Sequence, residues 1–220
     1  VISALLPDWV RAVDTTADAS EDTLWPAERA VLERAVPKRR IEAATVRACA
    51  RAALAELGVP AAAIVPGTRG APGWPPGIVG SMTHCAGYRG AALARREHAA
   101  SIGIDAEPHG PLPDGVLAAI ARPEEHRQLA ELAVEHPAVH WDRLLFSTKE
   151  AVYKAWYPLT ERWLDFDEAS IAIDPRAGTF SAVLQVPGPV LDGRELTGFT
   201  GRFTTSDTLV LTAIAVPATS

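Results

Sequence analysis

Two carboxylates, Asp105 and Glu107, close the run Ser101-Ile-Gly-Ile-Asp-Ala-Glu107. Ile102 and Ile104 alternate in a way that predicts a strand, and Pro108 ends it. Residues two apart on a strand point the same way, so both carboxylates face one site. Like charges that close together are unfavourable unless a cation lies between them. Oxygen-only donors in this arrangement suit Mg²⁺ or Mn²⁺, with water and phosphate completing the octahedron. The same residues would serve equally as an exposed acidic turn. A third carboxylate, Glu150, stands four residues before Lys154 in Lys149-Glu-Ala-Val-Tyr-Lys154. On a helix that spacing makes the two side chains neighbours. They read either as a surface ion pair or as a metal carboxylate or general base with an ammonium beside it. Gly80-Ser-Met-Thr-His84 adds two hydroxyls, Ser81 and Thr83, and an imidazole before a glycine turn. Such groups donate to phosphate oxygens, although a lone histidine is as often structural.

These residues need elements to hold them. Lys38 to Leu57 predicts a helix with Ile41, Ala44, Ala48, Ala52 and Ala55 as its apolar stripe, stopped by Gly58 and Pro60. Arg40, Arg47 and Arg51 fall near one face of it and Arg39 borders that face, which reads as an anion site or as a solvated surface. A helix from Pro26 to about Val36 precedes it, and the Gly- and Pro-rich stretch Pro66 to Gly80 is loop. Strands are expected at Ile78 to His84 and Tyr88 to Ala94, then at Ser101 to Glu107. Helices follow at Pro113 to Ala121, Pro123 to Glu135 and His140 to Trp156. The last has the stripe Trp141, Leu145, Thr148, Val152, Ala155, with Pro158 closing it. Ile171 to Val216 reads as three or four antiparallel strands. The fold class is α+β. A helix-then-strands pattern appears twice, with no repeat visible in the residues themselves.

Composition narrows the function classes. The first hundred residues carry 12 Lys and Arg against 10 Asp and Glu, and the other 120 carry 9 against 17. An acidic chain with one local basic patch argues against nucleic-acid binding and fits a small polyanion held by the patch. No uninterrupted apolar run approaches the ~18 residues of a membrane span. Val1 to Val10 has no basic segment ahead of an apolar core, so no secretory signal is read there. Two cysteines, Cys49 and Cys85, are too few for a disulfide framework or a Cys-based zinc site, so a reducing cytoplasm is expected. The glycine patterns of P-loops and dinucleotide folds are absent, as is a nucleophile elbow around Ser81.

Taken in order, Gly80-Ser-Met-Thr-His-Cys-Ala-Gly-Tyr-Arg89, Ile102-Gly-Ile-Asp-Ala-Glu-Pro108 and Phe146-Ser-Thr-Lys-Glu-Ala-Val-Tyr-Lys-Ala-Trp156 resemble the 4′-phosphopantetheinyl transferases. The likeness is to the surfactin-synthetase-activator type, and within it to the enterobactin-synthetase component D subgroup. Lys38-Arg-Arg-Ile-Glu with Arg47 and Cys49, and Trp163-Leu-Asp-Phe-Asp-Glu-Ala169, look like that subgroup too, so the resemblance runs from about Lys38 to Ala169. It implies two pseudo-twofold-related α/β halves, each a three-stranded antiparallel sheet packed with a long helix. The halves are assigned to residues 1–102, for the nucleotide, and 103–220, for the metal carboxylates and catalytic helix. One chain holding both halves predicts a monomer.

The resemblance implies Mg²⁺-dependent transfer of the 4′-phosphopantetheine arm of coenzyme A to a serine of an apo acyl or peptidyl carrier protein, with release of adenosine 3′,5′-bisphosphate. Asp105, Glu107 and Glu150 would hold the metal, and Glu150 would also take the serine proton. Lys154 would stabilise the leaving phosphate, and Lys149, Thr83 and His84 would donate to phosphate oxygens. Arg39 and Arg47 match the binders of the 3′-phosphate and adenine end, with Arg40 placed on the helix as well as Arg39. Many members carry Gly-Lys-Pro before the Gly80 strand; here Gly70-Ala71-Pro72 follows Arg69, which is read as the replacement charge. Two other readings use the same residues: a coenzyme A-binding docking partner without catalysis, and a Mg²⁺-dependent nucleotide pyrophosphatase.

Overall fold

The computed structural model describes residues 1–219. Among them, strand β1 (Arg11–Thr15) leads to helices α1 (Pro26–Leu32) and α2 (Pro37–Glu56), then to β2 (Ile78–Cys85) and β3 (Tyr88–Arg95). These strands form an antiparallel sheet in the order β1-β3-β2. After β4 (Ala99–Pro108) come α3 (Val116–Ile120), α4 (Pro123–Glu135) and α5 (Trp141–Thr160). The tail adds β5 (Ala169–Asp174), β6 (Thr179–Leu184), the short hairpin β7 (Val190–Leu191) and β8 (Arg194–Glu195), β9 (Gly198–Thr205) and β10 (Leu209–Pro217). The second sheet runs β4-β10-β9-β6-β5, all antiparallel.

Each half therefore is a small antiparallel sheet with a long helix on it, but the sheets differ. The second half has five strands rather than three, with β9 and β10 lying between β4 and β6. The expected division at 102/103 falls inside β4. By pairing, the whole strand belongs to the second half, since Ala99 to Pro108 register against β10.

The apolar stripe expected on α5 is the buried one: Trp141, Leu145, Val152 and Ala155 pack with Ile171, Phe180, Phe199 and Ile214, and Thr148 is buried with them. Pro158 does not close the helix. It sits in the last turn, where it removes one helical N–H without stopping the helix, which ends at Glu161 in the left-handed region, φ 54°. On α2 the face is rotated from the expected one. Ala43, Val46, Cys49, Ala50, Ala53 and Leu54 are buried, whereas Ala52 and Ala55 are exposed. With so many alanines around the helix, apolar spacing fits more than one stripe, and the packing against Ile78, Ala91 and Leu93 decides.

The halves meet along β2 and β4, each an edge strand of its own sheet. The backbone N–H of Ile104 donates to the Ser81 hydroxyl at 3.1 Å, and that of Ala106 to the Thr83 hydroxyl at 3.0 Å. Side-chain oxygens of β2 thus satisfy the unpaired amide edge of β4, as buried amides require. Behind this seam Ile2, Val79, Tyr88, Ile104, Leu211 and Ala213 form an apolar core shared by both sheets.

Candidate active site

Gly103 brings β4 and α5 together. A Cβ there would lie 2.1 Å from the Ala151 carbonyl oxygen, so only glycine lets α5 approach β4 this closely. Ser101 adds a bond from its hydroxyl to the Ala155 carbonyl at 2.7 Å. Asp105 of β4 consequently meets Lys154 of α5, whose ammonium donates to Oδ1 at 2.7 Å and to the Ile104 carbonyl at 3.1 Å. The Thr83 hydroxyl faces the same Oδ1 at 3.4 Å. The other oxygen, Oδ2, is buried with no protein partner. A carboxylate oxygen in that position calls for a cation or donor from outside the chain.

Glu107 points to the same cleft, with Oε2 held by Arg143 at 2.9 Å. Arg143 is fixed in turn by the Gly110 and Pro111 carbonyls at 3.1 and 2.6 Å. Glu150 also lines the cleft. Burial, and then the Asp105 charge, push the carboxyls of Glu107 and Glu150 above the ordinary carboxylate range. Among the described residues no three of these groups stand close enough together to chelate an ion. The ion pairs to Lys154 and Arg143 take one oxygen each of Asp105 and Glu107. The donor set nonetheless fits a hard cation: all three are oxygen ligands on one cleft, and one of the oxygens is orphaned.

The cleft measures about 1170 Å³ and runs between the halves. Arg39, Arg47, Arg69, Thr83 and His84 line it from the first half, opposite Asp105, Glu107, Glu150 and Lys154 of the second. Arg39 and Arg40 differ in direction: Arg39 reaches His84 on the same wall of the cleft, whereas Arg40 turns to Glu21 at 2.9 Å and the Ala35 carbonyl. Arg47 is buried in the wall, its Nε and Nη1 donating to the Ile64 and Ala43 carbonyls. Arg69 sits on the 66–77 loop with a left-handed φ of 55° and stacks 5.5 Å from the Trp163 ring centroid, bridging the halves. His84 is held neutral, first by burial and then by the Arg39 charge. Cys85 stays a thiol, since burial and the charges of Glu107 and Asp105 raise it to about 12.

Lys149 is not brought to the cleft. Its ammonium is buried, 2.9 Å from Glu125 and donating to the Phe166 and Ala169 carbonyls at 2.6 and 3.1 Å. One residue before Glu150 on a helix is about a quarter-turn away, and here that quarter-turn points into the core. Thr83 lines the cleft, but its hydroxyl is engaged by the Ala106 amide and Asp105, so it holds the Asp105 carboxylate in place.

Two buried glutamates were missed. Glu28 accepts from the Trp25 and Ile64 amides and from Arg51, with Arg47 at 3.8 Å. Glu125 accepts from the Arg122 and Ile171 amides and pairs with Lys149. Each follows a proline by two residues at the start of a helix and accepts the amide of the residue before that proline; Glu28 ties α2 to the Ile64 backbone, and Glu125 ties α5 to Ile171 of β5. The Pro-x-Glu spacing in Pro26-Ala-Glu28 and Pro123-Glu-Glu125 is the readable trace of this repeat.

Comparison with known proteins agrees with the geometry. Residues 27–94 match the family model described as 4′-phosphopantetheinyl transferase N-terminal domain, and residues 101–190 the one described as 4′-phosphopantetheinyl transferase superfamily. The 4′-phosphopantetheinyl transferase Svp of Streptomyces mobaraensis is 61% identical over 99% of this chain and 90% of its own length. PptT of Mycobacterium tuberculosis is 50% identical over 87% of this chain and 85% of its own. Npt of Nocardia iowensis is 47% identical over 98% and 99%. With both halves matched, their join between β3 and β4 respected, and the carboxylates and arginines facing one cleft, the chain belongs to the 4′-phosphopantetheinyl transferase superfamily.

Proposed function

We propose that this transferase moves the 4′-phosphopantetheine arm of coenzyme A to a serine hydroxyl of an apo acyl or peptidyl carrier protein, in a Mg²⁺-dependent reaction that releases adenosine 3′,5′-bisphosphate. The observation that carries the reading is the composition of the cleft: three carboxylates and Lys154 on one wall, Arg39, Arg47 and His84 on the other. That division suits a ligand with a pyrophosphate near one end of its charge and a 3′-phosphate at the other. Asp105, Glu107 and Glu150 would hold Mg²⁺, which supplies charge neutralisation at the pyrophosphate.

The chain's own part is positioning and proton handling. The serine oxygen forms a bond to the β-phosphorus, and the bond from that phosphorus to the bridging oxygen breaks. The electron pair leaves on the nucleotide's phosphate. The serine proton goes to Glu150, the carboxylate that α5 presents to the cleft. Lys154 offers its charge to the departing phosphate, while Thr83 keeps Asp105 in register. Arg39 and Arg47 hold the 3′-phosphate and adenine end. Arg69 supplies the loop charge, so Arg69→Ala raises the KM for coenzyme A; an unchanged KM removes it from the site. No helix of the described residues is long and apolar enough to cross a membrane. The free thiols of Cys49 and Cys85 suit a reducing, cytoplasmic setting, and one chain carrying both walls of the cleft suits a monomer.

The test is mass spectrometry of apo carrier protein incubated with the chain, coenzyme A and Mg²⁺, with a chelator control. A metal-dependent gain of one phosphopantetheine on the carrier serine is expected. Coenzyme A binding without any gain across several carrier types points to a docking protein, and nucleotide cleavage without a carrier to a pyrophosphatase.

A further inference from the structure

Glu42 lies on α2 one turn beyond Arg39, and its side chain is 12% exposed. Three cation-forming groups surround it: Arg39 at 3.9 Å, His84 Nδ1 at 3.7 Å and Arg89 of β3 at 3.8 Å. On the cleft side, Nε2 of His84 contacts the Arg39 guanidinium. A guanidinium only donates, so Nε2 accepts and the ring hydrogen sits on Nδ1, facing Glu42. The histidine is neutral in this state. The groups that bear on its charge are Arg39 and Glu42 of α2, Arg89 of β3 and Lys154 of α5.

We infer that His84 takes up a proton when a phosphate enters the cleft, and that Glu42 is the positioning residue that requires it to do so. The inference rests on the coenzyme A reading above. A phosphate oxygen at Nε2 is an acceptor, so Nε2 must carry a hydrogen. A neutral ring can supply one only by moving its hydrogen off Nδ1. That would turn the bare Nδ1 lone pair toward the Glu42 carboxylate, two acceptors face to face. Glu42 penalises this tautomer and favours the imidazolium, which donates to phosphate from Nε2 and to Glu42 from Nδ1. One N–H bond forms at Nε2, and the proton comes from the buffer. Arg39, released from the histidine, is free to join it on the phosphate.

The experiment is calorimetry of coenzyme A binding at pH 7.5, with Mg²⁺ present, in buffers of different ionisation enthalpy. Uptake approaching about one proton per coenzyme A is expected. His84→Asn abolishes it, Glu42→Gln cuts it at least in half by permitting the neutral tautomer, and Glu42→Asp restores part of it. The affinity of the unaltered chain falls as pH rises from 7 to 9, and that slope flattens in Glu42→Gln. Nitrogen shifts of His84 give a readout that needs no variant: Nδ1-protonated and neutral when free, doubly protonated when bound. Binding with no uptake, uptake unchanged in either Glu42→Gln or His84→Asn, or a bound ring that stays neutral overturns the inference and leaves the coenzyme A reading intact. No coenzyme A binding at all overturns that reading and this inference with it.

Discussion

Lys149→Met separates two roles for a lysine in the same motif. As a phosphate donor, Lys149 would matter to coenzyme A and little to folding. In the structure it is the counter-charge of a fully buried carboxylate. Glu125 accepts two backbone amides at 2.8 Å each and Lys149 at 2.9 Å, and the lysine also serves two carbonyls. Removing one partner of a buried, hydrogen-bonded ion pair costs about 3–5 kcal/mol. For a chain of this size 1 kcal/mol corresponds to about 2–4 °C, so the melting temperature should fall by roughly 6–20 °C. Urea unfolding of the metal-free chain measures the loss, and steady-state kinetics below the transition measures KM for coenzyme A. The second change Glu125→Gln should recover part of the loss, because the unpaired charge is gone, but not all of it: Arg122 and Ile171 donate to different oxygens of Glu125, and an amide keeps only one acceptor. An unchanged urea midpoint with a raised KM would refute the structural role and return Lys149 to the cleft.

Gly103→Ala forces its methyl into the Ala151 carbonyl 2.1 Å away, so α5 must retreat; a stability loss of about 1–3 kcal/mol with a large fall in kcat is expected, and unchanged urea unfolding would count against the close approach. Thr83→Val leaves the Ala106 amide without its acceptor at the seam, costing about 1–3 kcal/mol in thermal unfolding and lowering kcat, while Thr83→Ser should restore both. Glu150→Gln should abolish transfer yet stabilise the metal-free chain. The sign follows from a folded carboxyl whose proton affinity is raised by burial and Asp105. Below about pH 4 the acid is neutral folded and unfolded, so the variant gains nothing. As pH climbs through the unfolded value toward the raised folded one, ionisation favours the unfolded chain of the natural sequence alone, and the variant's advantage grows and then levels. Equal urea midpoints at pH 7 would contradict this.

Periodicity could be read where one face alone was apolar. The stripe on α5 and the Asp105–Glu107 alternation on β4 are of this kind, since bulky residues or carboxylates left no second solution. On α2 the alanines offered several stripes, and packing against the β3 side chains chose among them. β1 passed unread because Arg11-Ala-Val-Asp-Thr15 lacks a clear alternation and owes its place to pairing with β3. The carboxylates, Lys154, Arg39 and His84 were found by motif, and the structure gathers them into one cleft. Neither motif nor spacing told Lys149 from Glu150, because a quarter-turn of helix separates cleft from core. The staples at Glu28 and Glu125 were hidden for another reason. Their partners, Ile64 and Ile171, are backbone amides that any residue could supply, so only a buried carboxylate two residues after a proline betrays them. Ser81 and Thr83 were legible as hydroxyls, but their use as substitutes for a missing neighbouring strand depends on two sheet edges meeting.

That seam also bears on aggregation. An unpaired strand edge is a template for any other chain with the same need. β2 and β4 are such edges, one in each sheet, and each lies against the other. A half expressed alone would carry the bare edge into solution, together with the apolar face that Ile104, Tyr88 and Leu211 now close between them. Self-association of a separated half is therefore built into the same contact that aligns Asp105 with the opposite wall.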